Sequence, residues 1–226
     1  MSRLRDALGD ALRTPLPGRA AQRVAWPDDL PSRLEEAAAK ADAFEPAAVL
    51  LALIERSDGT VFFPLIRRPP GARTHAGQVS LPGGGCHAGE TPPDCALREA
   101  QEEIGLSRDA VQILGSLSPV PVPVSRYQIS PFVGWVTDPA LSARCESDWT
   151  IERAEVVSVL HADPDRLAAD PPRRVPRRLH DGRVLGVPAF LVPGPDGTEE
   201  VWGATAIVLA EFLAVWRGVR GGLPRH

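Results

Sequence analysis

Lysine is almost missing from these 226 residues: Lys40 stands alone, and arginine carries nearly all the positive charge. An arginine cannot form a Schiff base, but its planar fork grips phosphates and carboxylates through paired hydrogen bonds. Cysteine is scarce too. Cys86, Cys95 and Cys145 are odd in number and lack CxxC spacing, so they fit neither a disulfide framework nor a zinc knuckle, and a reducing cytoplasm is the expected compartment. The longest apolar run, 47–54, is well short of the roughly 20 residues a membrane span needs. The first residues have no signal-peptide apolar centre, and a soluble protein is expected. With a formal charge of -4 and a pI near 5.8 there is no bulk attraction to nucleic acid or to an anionic membrane. A small ligand held by local groups is the expected partner.

The length suits one α/β domain with its own core rather than two. Helical patterns at 2–13 and 28–44 place an N-terminal helical extension over 1–45, ahead of a domain over 46–220. Apolar runs at 47–55 and 60–66 flank Asp58-Gly59 and predict a hairpin. A short strand at 77–81 runs into Pro82-Gly83-Gly84-Gly85, where the backbone can turn sharply and approach a ligand closely. Thr91, Pro92, Pro93 and Asp94 suit a helix start, and Ala96, Leu97, Ala100 and Ile104 recur at helical spacing until Gly105. Downstream, strands are expected at 111–117, 128–136, 155–160 and 184–192, with helices at 163–169 and 203–217. The prolines at 119–123 and 171–176 are expected in loops.

Glu99, Glu102 and Glu103 are spaced i, i+3 and i+4, so one helix face carries all three. Like charges that close repel, and a hard divalent cation with oxygen ligands converts the repulsion into coordination; Mg2+ or Mn2+ is the natural candidate. Such an ion screens a pyrophosphate and lowers the pKa of a bound water, while a nearby carboxylate removes the water's proton. For the three glutamates alone, a solvated acidic face is an equal reading.

The wider spacing decides. From Gly84 the chain reads G-x5-E-x7-R-E-U-x-E-E-x-G-U through Glu90, Arg98, Glu99, Ala100, Glu102, Glu103, Gly105 and Leu106. This resembles the Nudix box, with Ala100 where a larger aliphatic residue is usual. The resemblance implies an α/β (α+β) Nudix fold, a mixed sheet sandwiched between helices with the box as a loop-helix-loop. It implies Glu99, Glu102 and Glu103 as metal ligands joined by the Gly84 carbonyl, with Arg98 orienting a glutamate or pairing with Glu90. Glu103 leads as general base, with Glu152 and Glu155 as rivals on a later loop, and Glu102 and Arg98 stand beside it among the catalytic candidates. A non-catalytic nucleotide-sensing module is expected to lose box glutamates, and all three are present.

Upstream, residues 65–84 are similar to the signature that precedes the box in the coenzyme A pyrophosphatase branch, with Arg68, Arg73, His75, Gly77, Gln78 and Pro82 to Gly84 in register. Ile66, Pro69 and Leu81 depart from it. Residues 201–206 also resemble a closing segment of that branch. The implied reaction is hydrolysis of coenzyme A or acyl-CoA to 3′,5′-ADP and 4′-phosphopantetheine or its acyl form, and a homodimer is implied in the same way. Substrate contacts then fall to Arg68, Arg73, His75, Gln78 and Gly83; ion pairing is the structural alternative for the arginines, and packing for His75. ADP-ribose, a dinucleotide or a nucleoside triphosphate is the alternative substrate. Arg173, Arg174, Arg177 and Arg178 sit among prolines and are read mainly as a solvated charge run. Trp135 and Trp202 are read as core, and Cys86 as a thiol without a partner that would activate it.

Overall fold

The computed structural model describes residues 3–27, 44–71, 76–123, 125–178 and 184–222. Its centre is β1 (Glu45–Glu55), which pairs antiparallel with β2 (Val61–Arg67) and β4 (Gly83–Gly85) and parallel with β7 (Tyr127–Val136). Next to β2 lie β3 (Val79–Ser80) and β8 (Ser158–Ala162); next to β7 lie β5 (Val111–Ser116) and β6 (Val120–Val122). A separate three-stranded sheet has β10 (Val184–Gly194) between β9 (Arg173–Arg178) and β11 (Gly197–Trp202).

β1 is apolar on both faces because both are covered. Ala48, Leu50, Ala52 and Ile54 pack with Cys95, Ala96, Ala100 and Ile104 of α3 (Pro92–Ile104). Leu51 and Leu53 belong to the cluster on the other side, which also holds Phe212 and Leu213 of α5 (Gly203–Gly222). Each such leucine, buried completely, contributes about 1.5–3 kcal/mol of transfer free energy. A mixed sheet between helices is the expected fold class.

The N-terminal extension belongs to this core. Leu4, Leu8 and Leu12 of α1 (Arg3–Arg13) share the cluster with α5. Glu211 of α5, fully buried, accepts from the Gly18 N–H of α2 (Gly18–Gln22), from the Gln22 amide, and from the hydroxyl and N–H of Ser118. Of the helix expected at 28–44, residues 28–43 lie outside the described residues.

Two proline-rich segments are strands, not loops. Among the described residues β6 pairs only with β7 and β9 only with β10, and an edge strand tolerates residues without an N–H on its unpaired side. β11 was not anticipated, although Pro195-Asp196 closes a two-residue turn between the paired Gly194 and Gly197. The strand expected at 155–160 starts at Ser158, because the N–H groups of Glu155 and Val156 fold back onto the Glu152 carbonyl. After β8 comes the short α4 (Pro164–Ala169), close to its expected place.

Candidate active site

Helix α3 begins at Thr91, whose hydroxyl accepts from the Asp94 N–H, and prolines at 92 and 93 occupy positions where no N–H is needed. It ends at Gly105 in the left-handed region, φ 66°. Between these points its apolar face lies on β1, Arg98, Glu99 and Glu102 project away from it, and Glu103 sits at the border, 1% exposed.

The glycine strand β4 runs close against this helix and β1, so that a side chain at Gly83 or Gly84 would meet its neighbours. A Cβ at Gly83 would stand 2.3 Å from the Ala48 carbonyl oxygen, and one at Gly84 would stand 2.7 Å from the Glu99 carboxyl. The Gly83 N–H donates to Glu103 Oε2 at 2.9 Å, and the Gly85 carbonyl accepts from Arg98 Nη2 at 3.1 Å. The Gly84 carbonyl accepts from Cys95 Sγ at 3.6 Å, whereas the Gly83 carbonyl faces Arg68 Nη2 at 3.4 Å.

Arg98 binds three carboxylates. Its Nε and Nη2 hold the two oxygens of Glu90 at 2.9 and 3.0 Å, and its Nη1 reaches Glu99 at 2.8 Å and Glu102 at 2.9 Å. The Arg98 bonds, helped by the His87 N–H, bring the Glu90 carboxyl down to about 2. Glu99 moves the other way, because burial outweighs Arg98. Glu103 is pushed up to about 8 by burial, with the charges of Glu99 and Glu155 adding to it and the Gly83 N–H and Arg68 opposing it. Arg68 Nη2 is 3.4 Å from Glu103 Oε1.

Of the other expected residues, Gln78 is placed beside Arg68, its carbonyl accepting from the Arg68 N–H at 3.0 Å. Arg73 and His75 lie outside the described residues. The two rivals for the base separate: the Glu152 carboxylate caps the Ala154 N–H at 3.1 Å, while the Glu155 charge reaches Glu99 and Glu103. Trp149, on the segment leading to them, donates to His161 Nε2 of β8 at 2.8 Å. His161, half-buried and stacked on Phe62, is lowered to about 4 by desolvation and by the charge of Arg56. Arg173 pairs with Asp170 at the surface, and Arg177 pairs with Glu200 over the Trp202 ring. Trp135 is core.

Tyr127 escaped the sequence reading. It stands 39% exposed at the start of β7, with its hydroxyl 3.5 Å from where a Gly85 Cβ would be. It is the chain's only tyrosine, and only the parallel pairing of β7 with β1 brings it beside the glycine strand.

The donor set suits a hard cation. Carboxylate oxygens gather around guanidinium groups, and burial leaves Glu99 and Glu103 short of compensating charge. Among the described residues no three His, Cys, Asp or Glu side chains converge into a finished cage. Arg98 and Arg68 hold the positions between them.

A mixed sheet with a glycine strand against a carboxylate helix is the loop-helix-loop architecture that the box spacing implies. Residues 45–178 match the NUDIX domain, and the chain belongs to that family. It is 37% identical over 176 residues to a protein described as uncharacterized Nudix hydrolase NudL of Klebsiella pneumoniae, covering 77% of this chain and 83% of that one. It is 33% identical over 181 residues to Nudix hydrolase 15, mitochondrial, of Arabidopsis thaliana, covering 77% of this chain and 60% of the relative. A solved Nudix hydrolase from M. smegmatis, RenU, aligns with a TM-score of 0.48 at 18% identity, over 81% of this chain and 89% of that one. The chain is therefore a pyrophosphohydrolase of nucleoside diphosphate-linked substrates, from a family whose hydrolases use divalent metal ions. No helix among the described residues is long and apolar enough to cross a membrane.

Proposed function

We propose that this Nudix hydrolase cleaves the pyrophosphate of coenzyme A or an acyl derivative, in the cytoplasm, to 3′,5′-ADP and 4′-phosphopantetheine or its acyl form. The observation that carries the reading is the contact of Arg68 with both Glu103 and the Gly83 carbonyl. It supports taking the segment that resembles the coenzyme A branch and the acidic helix as parts of one site.

Glu99, Glu102 and Glu103 would hold Mg2+ or Mn2+, with a carbonyl of the glycine strand. Gly84 is the position the resemblance implies; the carbonyl of Gly83 is the one that stands with Glu103 about the same guanidinium nitrogen. When bound, the ion neutralises pyrophosphate charge and makes a water more acidic. Arg98 keeps Glu99 and Glu102 turned to one side while Glu90 fixes the guanidinium. Glu103, with its carboxyl near 8, is matched to accepting a proton close to neutral pH, and Glu155 is the carboxylate outside the helix whose charge reaches the same place. Arg68 and Arg73 would pair with phosphate oxygens, with His75, Gln78 and the Gly83 strand as further contacts. Two copies of the chain would form a homodimer, which light scattering would test.

Chromatography of products after incubation with Mn2+ and coenzyme A tests the substrate: 3′,5′-ADP is expected. Intact coenzyme A beside hydrolysed ADP-ribose, dinucleotide or nucleoside triphosphate would replace this reading with the other substrate class. Turnover of none of them would favour the sensing module.

A further inference from the structure

Side chains along the glycine strand alternate. The Gly84 position faces the Glu99 carboxyl of α3, and the Gly85 position faces Tyr127 on the opposite side. Residue 86 therefore faces α3 again. The ladder continues that far, since the Cys86 N–H donates to the Pro46 carbonyl at 2.9 Å. On the helix, Cys95 precedes Glu99 by four residues and shares its stripe. Strand steps of two and helix steps of four match in length, so Cys86 opposes Cys95 one rung along from Gly84 and Glu99. Burial and the neighbouring Cys86 thiol push the Cys95 thiol up, and Cys86 packs against the apolar cluster under α3 that holds Cys95. Cys86 is half-buried, whereas Cys95 is buried.

We propose that Cys86 and Cys95 are an oxidisable thiol pair that closes to a disulfide when a hydroperoxide reaches Cys86, restraining the loop between the glycine strand and α3. In the first step the Cys86 sulfur attacks the outer peroxide oxygen. The O–O bond breaks, an alcohol or water leaves with the thiol proton, and Cys86 becomes a sulfenic acid. The Cys95 sulfur then attacks the Cys86 sulfur, the S–O bond breaks, and water leaves with the Cys95 proton. Two thiols lose two electrons, and the peroxide gains them. A reducing compartment keeps the pair open at rest, in line with the absence of a disulfide framework in the sequence.

The bond would reach the active site directly. The Cys95 thiol donates to the Gly84 carbonyl and lies 3.8 Å from Arg98 Nη2. Oxidation removes that donor and draws the strand at Cys86 toward the helix, where Gly84 already touches Glu99. Turnover should fall several-fold and return on reduction; this effect on activity rests on the hydrolase site proposed above, whereas the crosslink does not.

The test uses the full chain with Cys145→Ser, which removes the exposed third thiol. After hydrogen peroxide and alkylation, a proteolytic peptide pair linked through 86 and 95 is expected, with both free thiols lost and dithiothreitol restoring them. The double variant Cys86→Ser, Cys145→Ser should keep the reduced turnover and resist peroxide. Oxidation of Cys86 to sulfinic acid with Cys95 still free would overturn the pairing. A mapped crosslink with unchanged turnover on a demonstrated substrate would overturn the regulatory half alone.

Discussion

Arg98 and Glu90 are joined by two parallel hydrogen bonds, Nε to Oε1 at 2.9 Å and Nη2 to Oε2 at 3.0 Å. This fork spends one edge of the guanidinium on Glu90 and leaves Nη1 for Glu99 and Glu102. A lysine cannot do both, since it has a point charge and no fixed fork. Arg98→Lys should therefore lower kcat/KM by on the order of 10- to 100-fold, the usual effect of losing a residue that orients ligands. Steady-state kinetics across a Mn2+ titration measures it, with the loss partly recovered at high Mn2+. Wild-type turnover at every Mn2+ concentration would refute the orienting role.

Glu103 links catalysis to pH. Its folded value of about 8 lies above its ordinary 4.5, so the fold favours the neutral carboxyl. The stability this gives is full below about pH 4.5 and is lost as pH rises through about 8. Without metal, wild-type protein should melt progressively lower over that window, and Glu103→Gln should flatten the decline. A divalent cation displaces the proton, so cation binding near neutral pH should release protons and weaken as pH falls. Turnover of Glu103→Gln should drop by several orders of magnitude with the fold intact. Melts with and without Mn2+, beside initial rates, check all three.

How far the sequence was legible depended on the range of the forces involved. Helix α3 was readable because its cap at Thr91, its prolines, its apolar stripe and its stop at Gly105 all lie within one short segment. Strand β9 was not, because its prolines read as breakers unless the strand is known to lie at a sheet edge. Within the site, helical spacing puts Glu99, Glu102 and Glu103 on one face, and the wider spacing with Gly84 and Arg98 singles them out as candidate ligands. The placing of Tyr127 beside the glycine strand and of Cys86 against the cluster that holds Cys95 depends on which strands pair and which way a residue faces, and neither is encoded locally. The separation of Glu155 from Glu152 arose from one backbone turn that spends the Glu152 carboxylate on the Ala154 N–H.

Glu211 should be a stability residue with little part in chemistry. Its buried carboxylate accepts four hydrogen bonds, at 2.7 to 3.1 Å, from Gly18, Gln22 and Ser118. Glu211→Leu keeps the volume but strands those donors away from water. A loss of roughly 3 kcal/mol or more is expected in urea unfolding. Glu211→Gln, which retains an acceptor, should lose less. Equal stability of Glu211→Leu and wild type would show that the extension is not pinned here.

Two adjacent glycines should fail in different ways. At Gly83, φ is 152° and an added Cβ would meet the Ala48 carbonyl oxygen at 2.3 Å, and neither backbone can yield without breaking the β1 pairing. Gly83→Ala should cost roughly 3 kcal/mol or more of stability and reduce the yield of folded protein. At Gly84 the obstacle is the Glu99 carboxyl at 2.7 Å, the far end of a flexible side chain that can swing aside at the expense of its Arg98 pairing. Gly84→Ala should keep stability within about 1 kcal/mol of wild type, because the strain relaxes through that movement. The displaced carboxylate is a proposed metal ligand, so Gly84→Ala should raise the Mn2+ concentration needed for half-maximal activity by on the order of tenfold or more. Urea unfolding and Mn2+ titration of both variants separate the outcomes. A Gly84→Ala protein with wild-type Mn2+ dependence would mean that Glu99 does not need its place against the strand.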